Sequence, residues 1–289
     1  MSNAASLARR ERISQGEREF VFTDGDFEFI RRLVAEKTGI VLNDAKRNLV
    51  YSRLSRRLRQ LGLEQFADYC ELLKSGDDGE LVNFINAITT NLTSFFRENH
   101  HFEYLRDTLL PELMRSKPER RLRCWSAGCS TGEEPYSIAM VLRETLPASG
   151  WDARILATDL DSEVVARARR GVYTQERVNG ISPERLRRWF LRGKGDNEGM
   201  VQVRAALREL ITFRQLNLMH AWPIGGPLDF IFCRNVVIYF DKPTQKVLFD
   251  RYAELLPVGG HLFIGHSESL FKVTDRFKLI GKTIYRKVY

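Results

Sequence analysis

The sequence predicts an α/β protein: a small helical domain, then a doubly wound, mostly parallel sheet carrying a small antiparallel β insert. Three observations predict it. Up to about residue 90, apolar residues recur at helical spacing. After about residue 118, short apolar runs alternate with amphipathic segments, the pattern of βα units wound into a parallel sheet. Between Gly171 and Asn217, the glycine-spaced LRGKGDNEG separates two strand-like runs.

The first 20 residues, rich in Arg, Glu and Ser, read as a flexible polar arm, and the helical domain spans 21–90. Phe27, Ile30, Leu33 and Val34 mark a helix starting near Asp24 or Asp26 and stopping at Gly39. Val50, Leu54, Leu58 and Leu61 mark a second helix, ending at Gly62. Phe66, Tyr69, Leu72 and Leu73 mark a third, ending in SGDDG, and Leu81, Phe84, Ile85 and Ile88 a fourth.

The second domain spans 91–289. RLRCWSA reads as a strand, and EPYSIAMVLRETL as a helix with Pro135 in its first turn. RILATDL is a second strand, followed by the helix SEVVARARR and its stop at Gly171. GMVQV and ELITFRQL are read together as the antiparallel insert, about 172–216. LDFIFC is a buried strand, KPTQKVLFDRYAELLPVGG a helix, and HLFIGH a further strand. RFKLIGKTIYRKV reads as a closing hairpin that turns at Gly281–Lys282.

With 43% hydrophobic residues among 289, the chain can bury a substantial core, and its net charge of +8 favours an anionic partner. The N-terminus lacks the apolar core of a secretory signal and no apolar run reaches the length of a membrane span, so the expectation is a cytoplasmic protein without membrane insertion. The four cysteines form no C-x-x-C pair and read as buried thiols. His100, His101, His220, His261 and His266 show no metal-ligand spacing, although His100 and His101 could form a local pair, and no metal is expected.

In an open parallel sheet, ligands bind beyond the carboxyl ends of the strands. CWSAGCSTGEEPYS (124–137) lies there, and Gly128 and Gly132 let its backbone approach a ligand. No Lys-Ser or Lys-Thr follows these glycines, which excludes a phosphate-binding P-loop. Their G-x-x-x-G spacing departs from the dinucleotide fingerprint. Asp159 ends the second strand, where an acid accepts hydrogen bonds from ribose hydroxyls; the alternative is a helix cap, a role open to Asp161 or Ser162. Glu134 opens a helix, where acids are favoured structurally, and at the loop rim it could also meet an ammonium group.

Four segments in order, TTNLTSFFRENHHF (89–102), SAGCSTGEEPYSIA (126–139), FCRNVVIYFD (232–241) and GHSESL (265–270), resemble the chemotaxis receptor methyltransferases of the CheR type. The resemblance covers nearly the whole chain from about residue 20. It implies a helical substrate-docking domain followed by a Rossmann-like class I methyltransferase sheet, whose hallmark is a closing antiparallel hairpin. It also implies a protein-glutamate O-methyltransferase that takes a methyl group from S-adenosylmethionine, leaves S-adenosylhomocysteine and forms glutamate methyl esters on chemoreceptors.

By resemblance, Asn91, Thr93 and Arg97 lie at the cofactor, and Arg97 also borders the substrate. Glu134 and Asp159 resemble the methionine-end and ribose ligands, Asn217 and Leu218 the adenine-side contacts, and Arg234 and Asn235 another cofactor wall. Tyr239 resembles a tyrosine facing the reacting centre. Where many methyltransferases place an acid after the first strand, this chain has Ser126 and Ala127. The ordinary alternatives are a surface salt bridge for Arg97 and core packing for Tyr239.

AKRNLVYSRLSRRLRQL (45–61) holds Lys46, Arg53, Arg56, Arg57 and Arg59 and no acid, so it is expected to attract an anionic surface. The resemblance assigns these residues to docking on the glutamate-rich methylation helices of chemoreceptors. It also suggests that a receptor C-terminal peptide docks at the β insert, near Gly193, Gly195 and Gly199. No aromatic platform, zinc pattern or Asn/Asp-Pro-Pro-Tyr/Phe motif supports a nucleic-acid partner. A monomer is expected. The alternative function is a non-catalytic cofactor-binding scaffold or regulator in bacterial signalling.

Overall fold

The computed structural model describes residues 18–289, so most of the expected N-terminal arm lies outside the described residues. Residues 18–20 are not arm-like: Phe20 is buried, Glu19 pairs with Arg59, and Arg18 donates to Asn48. The chain divides into two compact units between Thr89 and Thr90.

The first unit contains α1 (Asp24–Thr38), α2 (Arg47–Leu61), α3 (Phe66–Lys74) and α4 (Asp78–Ile88). Sequence chemistry sets the ends. Thr23 and Asp26 form a reciprocal capping box on α1, Asp77 caps α4, and Gly39 and Gly62 stop α1 and α2 in the left-handed conformation. Ile30, Val34, Val50, Leu54 and Leu58 project into one core with Phe22, Phe66, Tyr69 and Phe84. Leu61, expected on that stripe, is instead exposed at the helix end.

The second unit begins with α5 (His100–Tyr104), a π-turn (Leu105–Leu109) and α6 (Leu110–Ser116). There follow β1 (Arg121–Ser126), α7 (Glu133–Thr145), β2 (Asp152–Asp159), α8 (Ser162–Arg170), β3 (Val172–Thr174), α9 (Pro183–Trp189), β4 (Phe190–Arg192), β5 (Met200–Val203) and α10 (Ala205–Arg208). The chain continues through β6 (Ile211–Gln215), β7 (Phe230–Cys233), α11 (Lys242–Leu255), β8 (His261–Ile264), β9 (Phe277–Gly281) and β10 (Ile284–Lys287).

The main sheet has the order β6-β2-β1-β7-β8-β10-β9. Its first five strands are parallel, and β10 is antiparallel to both neighbours. Strand order reverses between β1 and β7, and an open α/β sheet binds ligands at the carboxyl ends of such a pair. The central strands are buried on both faces. Phe230 and Phe232 of β7 join one apolar layer, with Tyr136 of α7, while Ile231 and Cys233 join the other, with Tyr252 of α11.

Two expectations are corrected here. ELITFRQL does not belong to the antiparallel insert: β6 pairs in parallel with β2, from Ile155–Ile211 to Asp159–Gln215. The insert is the three-stranded sheet β3-β5-β4, closed by residue 203. A strand's composition shows that it is extended, not which strand it will pair with. The closing hairpin turns at Lys282–Thr283, one residue later than expected, with Thr283 at φ 60°. At the sheet edge, Arg169 and Arg214 both donate to the Phe213 carbonyl of β6, which blunts further strand pairing. Among the described residues, no helix is long and apolar enough to cross a membrane.

Candidate functional site

The loop after β1 is pinned from both neighbouring strands. The Ala127 N–H donates to the Phe232 carbonyl at 2.8 Å, and the Cys129 N–H to the Thr158 carbonyl at 2.9 Å. Two glycines are sterically required. A Cβ at Gly128 would lie 2.3 Å from Val236 Cγ2. Gly132 takes φ 101°, and a Cβ there would meet the Tyr173 hydroxyl at 2.8 Å and Ala168 Cβ at 2.9 Å.

Asp159, at the carboxyl end of β2, faces this loop. Its Oδ2 accepts the Ser130 N–H at 2.8 Å and its Oδ1 the Asp161 N–H at 3.1 Å. Burial pushes its carboxyl up to about 6, against the pull of those backbone donors. Asp159 does not cap α8. Asp161 does, accepting from the Glu163 and Val164 N–H groups, and its other oxygen accepts from Asn91 Nδ2 at 2.7 Å. The Asn91 carbonyl accepts from the Ser130 hydroxyl. Asn91, Ser130, Asp159 and Asp161 thus form one polar corner.

A second cluster is built on Arg234, at the carboxyl end of β7. Its side chain is 2% exposed. Nη1 lies 3.1 Å from Glu134 Oε2, and Nη2 lies 3.4 Å from Glu98 Oε2 and donates to the Arg97 carbonyl. Glu134 Oε1 accepts from the Ser126 hydroxyl at 2.7 Å. The rim position expected for Glu134 is therefore corrected: it is buried, and its charge is matched by Arg234. Burial pushes its carboxyl up, and Arg234 and Ser126 pull it back. Burial would push Glu98 up as well, but a hydrogen bond from His266 and the charge of Arg234 hold it at about 2. His101 is pushed down to about 3 by burial and then by Arg234. Glu98, His100 and His101 bring possible ligand atoms within 4.8 Å of one another, yet the cation beside them is Arg234 itself.

The other expected residues divide. Asn235 and Tyr239 share the loop after β7; Asn235 takes φ 58°, and Tyr239 sits in the 3-10 turn Val237–Tyr239 with no hydrogen-bond partner for its hydroxyl among the described residues. Arg97 is half-buried as a residue; its guanidinium donates to the Leu92 carbonyl at 2.9 Å and forms no ion pair with any described residue. The Thr93 carbonyl accepts from Arg177. Asn217 and Leu218 follow β6, next to Leu216, whose N–H donates to the Asp159 carbonyl at 2.9 Å. Asn217 Oδ1 accepts the Met219 N–H, and the buried Leu218 offers its carbonyl to Trp222 and Arg251.

On α2 the basic run is less free than its sequence suggests. Glu80 of α4 pairs with Arg57 and also accepts from the Tyr69 hydroxyl, Glu19 pairs with Arg59, and Arg53 donates to the Ile88 carbonyl. Lys46, in the turn before α2, and Arg56 remain exposed. The run holds no acid of its own, but acids distant in sequence neutralise part of it.

Sequence reasoning missed Glu98 and Glu268. Glu98 lies in RENHH, a stretch read for Arg97 and its histidines. Glu268 lies in GHSES and accepts four backbone N–H groups. Nothing in either segment signals a buried acid, because most of the partners, Arg234 and His266 for Glu98 and Asn235, Val237 and Ile238 for Glu268, are far away along the chain.

Comparison with known proteins accords with this geometry. Residues 25–89 match the family model described as the CheR methyltransferase all-alpha domain, and residues 91–286 match the CheR methyltransferase SAM binding domain. Chemotaxis protein methyltransferase 2 of Pseudomonas aeruginosa is 48% identical over 271 residues, 93% of this chain and 95% of that protein. The chemotaxis protein methyltransferase of Escherichia coli is 44% identical over 287 residues, 99% of this chain and 98% of that one. The probable chemotaxis protein methyltransferase of Rhizobium etli is 46% identical, over 88% and 96%. The cofactor is S-adenosylmethionine, and Asp159 fits it, since each of its oxygens has acceptor capacity left for a ribose hydroxyl; the expectation that Gly128 and Gly132 open the backbone to a ligand is corrected, because Val236, Tyr173 and Ala168 pack where their side chains would stand. With a helical domain, a methyltransferase sheet order and near full-length similarity, the chain belongs to the CheR family of S-adenosylmethionine-dependent methyltransferases.

Proposed function

We propose that this enzyme methylates glutamate side chains on the cytoplasmic helices of chemoreceptors, forming methyl esters. The observation that carries the reading is Arg97. Its guanidinium makes one hydrogen bond, to the Leu92 carbonyl, and has donors left for a carboxylate. Tyr239, with its hydroxyl unpartnered, offers a second donor from the loop after β7.

A glutamate with a pKa of about 4.3 is already ionised at neutral pH, so the nucleophile needs no general base. S-Adenosylmethionine, when bound, supplies an electrophilic methyl on a sulfonium. The protein's work is alignment and exclusion of water. Arg97 holds one carboxylate oxygen so that the other lines up with the methyl carbon, and such orientation lowers a barrier by several kcal/mol, up to roughly 7–11 in favourable systems. Asp159 takes the ribose hydroxyls, and Asn91 orients Asp161 beside it. Glu134 and Arg234 set the floor as a matched pair, so Glu134 acts at the methionine end through Arg234. Asn217 and Leu218 border the adenine, and Thr93 and Asn235 complete the wall.

Docking falls to the first unit, where Lys46 and Arg56 present charge to acidic helices, with Arg53, Arg57 and Arg59 behind them. The β3-β5-β4 sheet is a site for a receptor C-terminal peptide, which would raise the local concentration of enzyme near its substrates. The enzyme acts as a monomer in the cytoplasm. Tandem mass spectrometry of a chemoreceptor cytoplasmic fragment incubated with enzyme and S-adenosylmethionine tests the reading. Methyl groups on glutamates of the methylation helices are expected; methylation on lysine, arginine or no residue would overturn it.

A further inference from the structure

Glu268 is a buried carboxylate with no cation against it among the described residues. Its whole acceptor capacity goes to backbone. Oε2 accepts the N–H groups of Asn235 (2.9 Å) and Gly265, and Oε1 those of Val237 (2.9 Å) and Ile238 (3.3 Å). Four donors match the four acceptor positions of a carboxylate. Three of them lie in the loop after β7, and the fourth lies just beyond β8, so one side chain ties together the carboxyl ends of neighbouring strands.

That loop is under constraint. Asn235 is left-handed at φ 58°, a conformation that asparagine tolerates better than most residues other than glycine. A Cβ at Gly265 would lie 2.5 Å from Asn235 Nδ2, so the two strand ends pass close together. From the other side, the buried Gln245 of α11 donates to the Val237 and Phe240 carbonyls. The donors of the turn are thus held by Glu268 and its acceptors by Gln245. The turn carries Val236, packed on the cofactor loop at Gly128, and Tyr239.

We infer that Glu268 is a positioning residue for methyl transfer: it fixes the turn that carries Asn235, Val236 and Tyr239 against the cofactor loop, and touches neither cofactor nor substrate. The inference rests on the reading of this loop as the wall of the methyl-transfer site. Burial pushes the Glu268 carboxyl up, and the four N–H groups oppose it. The ionised form is the one that accepts all four.

The test is Glu268→Gln in the full chain, with Glu268→Asp beside it. In the glutamine, an NH2 group faces two N–H donors, so two of the four bonds must break. Three readouts are taken: amide exchange at 235–238, S-adenosylmethionine affinity by calorimetry, and single-turnover transfer to a receptor fragment. Exchange is expected to quicken and affinity to fall in Glu268→Gln. Its transfer rate is expected to drop on the order of tenfold to a hundredfold, as misplacement of a reacting group does. Glu268→Asp, which keeps the charge, is expected to recover part of each loss, and it remains readable if the glutamine variant does not fold. Faster exchange with unchanged affinity and unchanged transfer would reduce Glu268 to a purely structural clamp and overturn the inference; so would unchanged exchange. If wild-type enzyme labels no receptor fragment, the glutamate reading fails, while affinity and exchange still decide the role of Glu268.

Discussion

Arg234 Nη1 lies 3.1 Å from Glu134 Oε2, and both side chains are at least nine-tenths buried. The same guanidinium lies against Glu98, so one cation compensates two buried acids drawn from the loop before α5 and the start of α7. A buried pair of this kind is weak evidence for net stability, but removing one partner strands the other.

Arg234→Met leaves Glu134 and Glu98 without their cation. A loss of about 3–5 kcal/mol of stability is expected, read from denaturant unfolding of the full chain. Glu134→Gln should be much milder, because its amide oxygen can still accept from Arg234 or Ser126. Equal losses from the two variants would contradict this ordering.

Asp159 predicts how cofactor binding depends on pH. Its folded-state carboxyl is raised by burial to about 6, above an ordinary aspartate, so the native state holds its proton longer than the unfolded chain. The stabilisation from holding that proton is present at low pH and is lost as pH rises from the ordinary aspartate range through about 6. In the proposed ribose contact the hydroxyls donate to the ionised form, so S-adenosylmethionine affinity should weaken as pH falls below about 6. Calorimetric titration across that window checks this. Asp159→Asn should bind weakly at every pH and lose the dependence.

Arg56 and Arg57 are neighbours with opposite expectations. Arg57 compensates the buried Glu80, so Arg57→Ala should destabilise the helical unit by about 3 kcal/mol and lower its melting temperature. Arg56 is exposed, so Arg56→Ala should leave the melting temperature unchanged and raise KM for receptor fragments. That rise should shrink at high ionic strength, where the wild type loses the same attraction.

Arg97→Ala should lower kcat/KM for receptor fragments on the order of a hundredfold, since an unoriented carboxylate reaches the methyl carbon out of line. Arg97→Lys keeps the charge without the planar fork and should recover only part of the loss. Full activity in the lysine variant would reduce Arg97 to a charge and remove its aligning role.

The fold was legible wherever local chemistry decides structure. Gly39, Gly62 and Gly171 stop helices as their positions in the sequence imply, and alternation from β1 onward gave the wound sheet. It failed at ELITFRQL because strand pairing is a long-range property: the partner of Ile211 is Ile155, separated from it by the whole insert. The site followed the same rule. The place of Asp159, at the end of β2 and facing the loop after β1, was legible because a strand-end acid in a wound sheet has a fixed place. Glu98, Glu268 and the acid partners of Arg57 and Arg59 could not, because each becomes significant only through a residue at least 23 positions away.

The most direct test of methyl-ester formation uses methyl-labelled S-adenosylmethionine with the purified protein and chemoreceptor cytoplasmic fragments, beside parallel tubes of RNA and DNA. The readout is volatile methanol released by base, which a carboxyl methyl ester gives and a methylated base nitrogen does not. Release from the receptor tube alone is predicted. Cofactor binding without base-labile label on receptor, or stable label on nucleic acid, would contradict it.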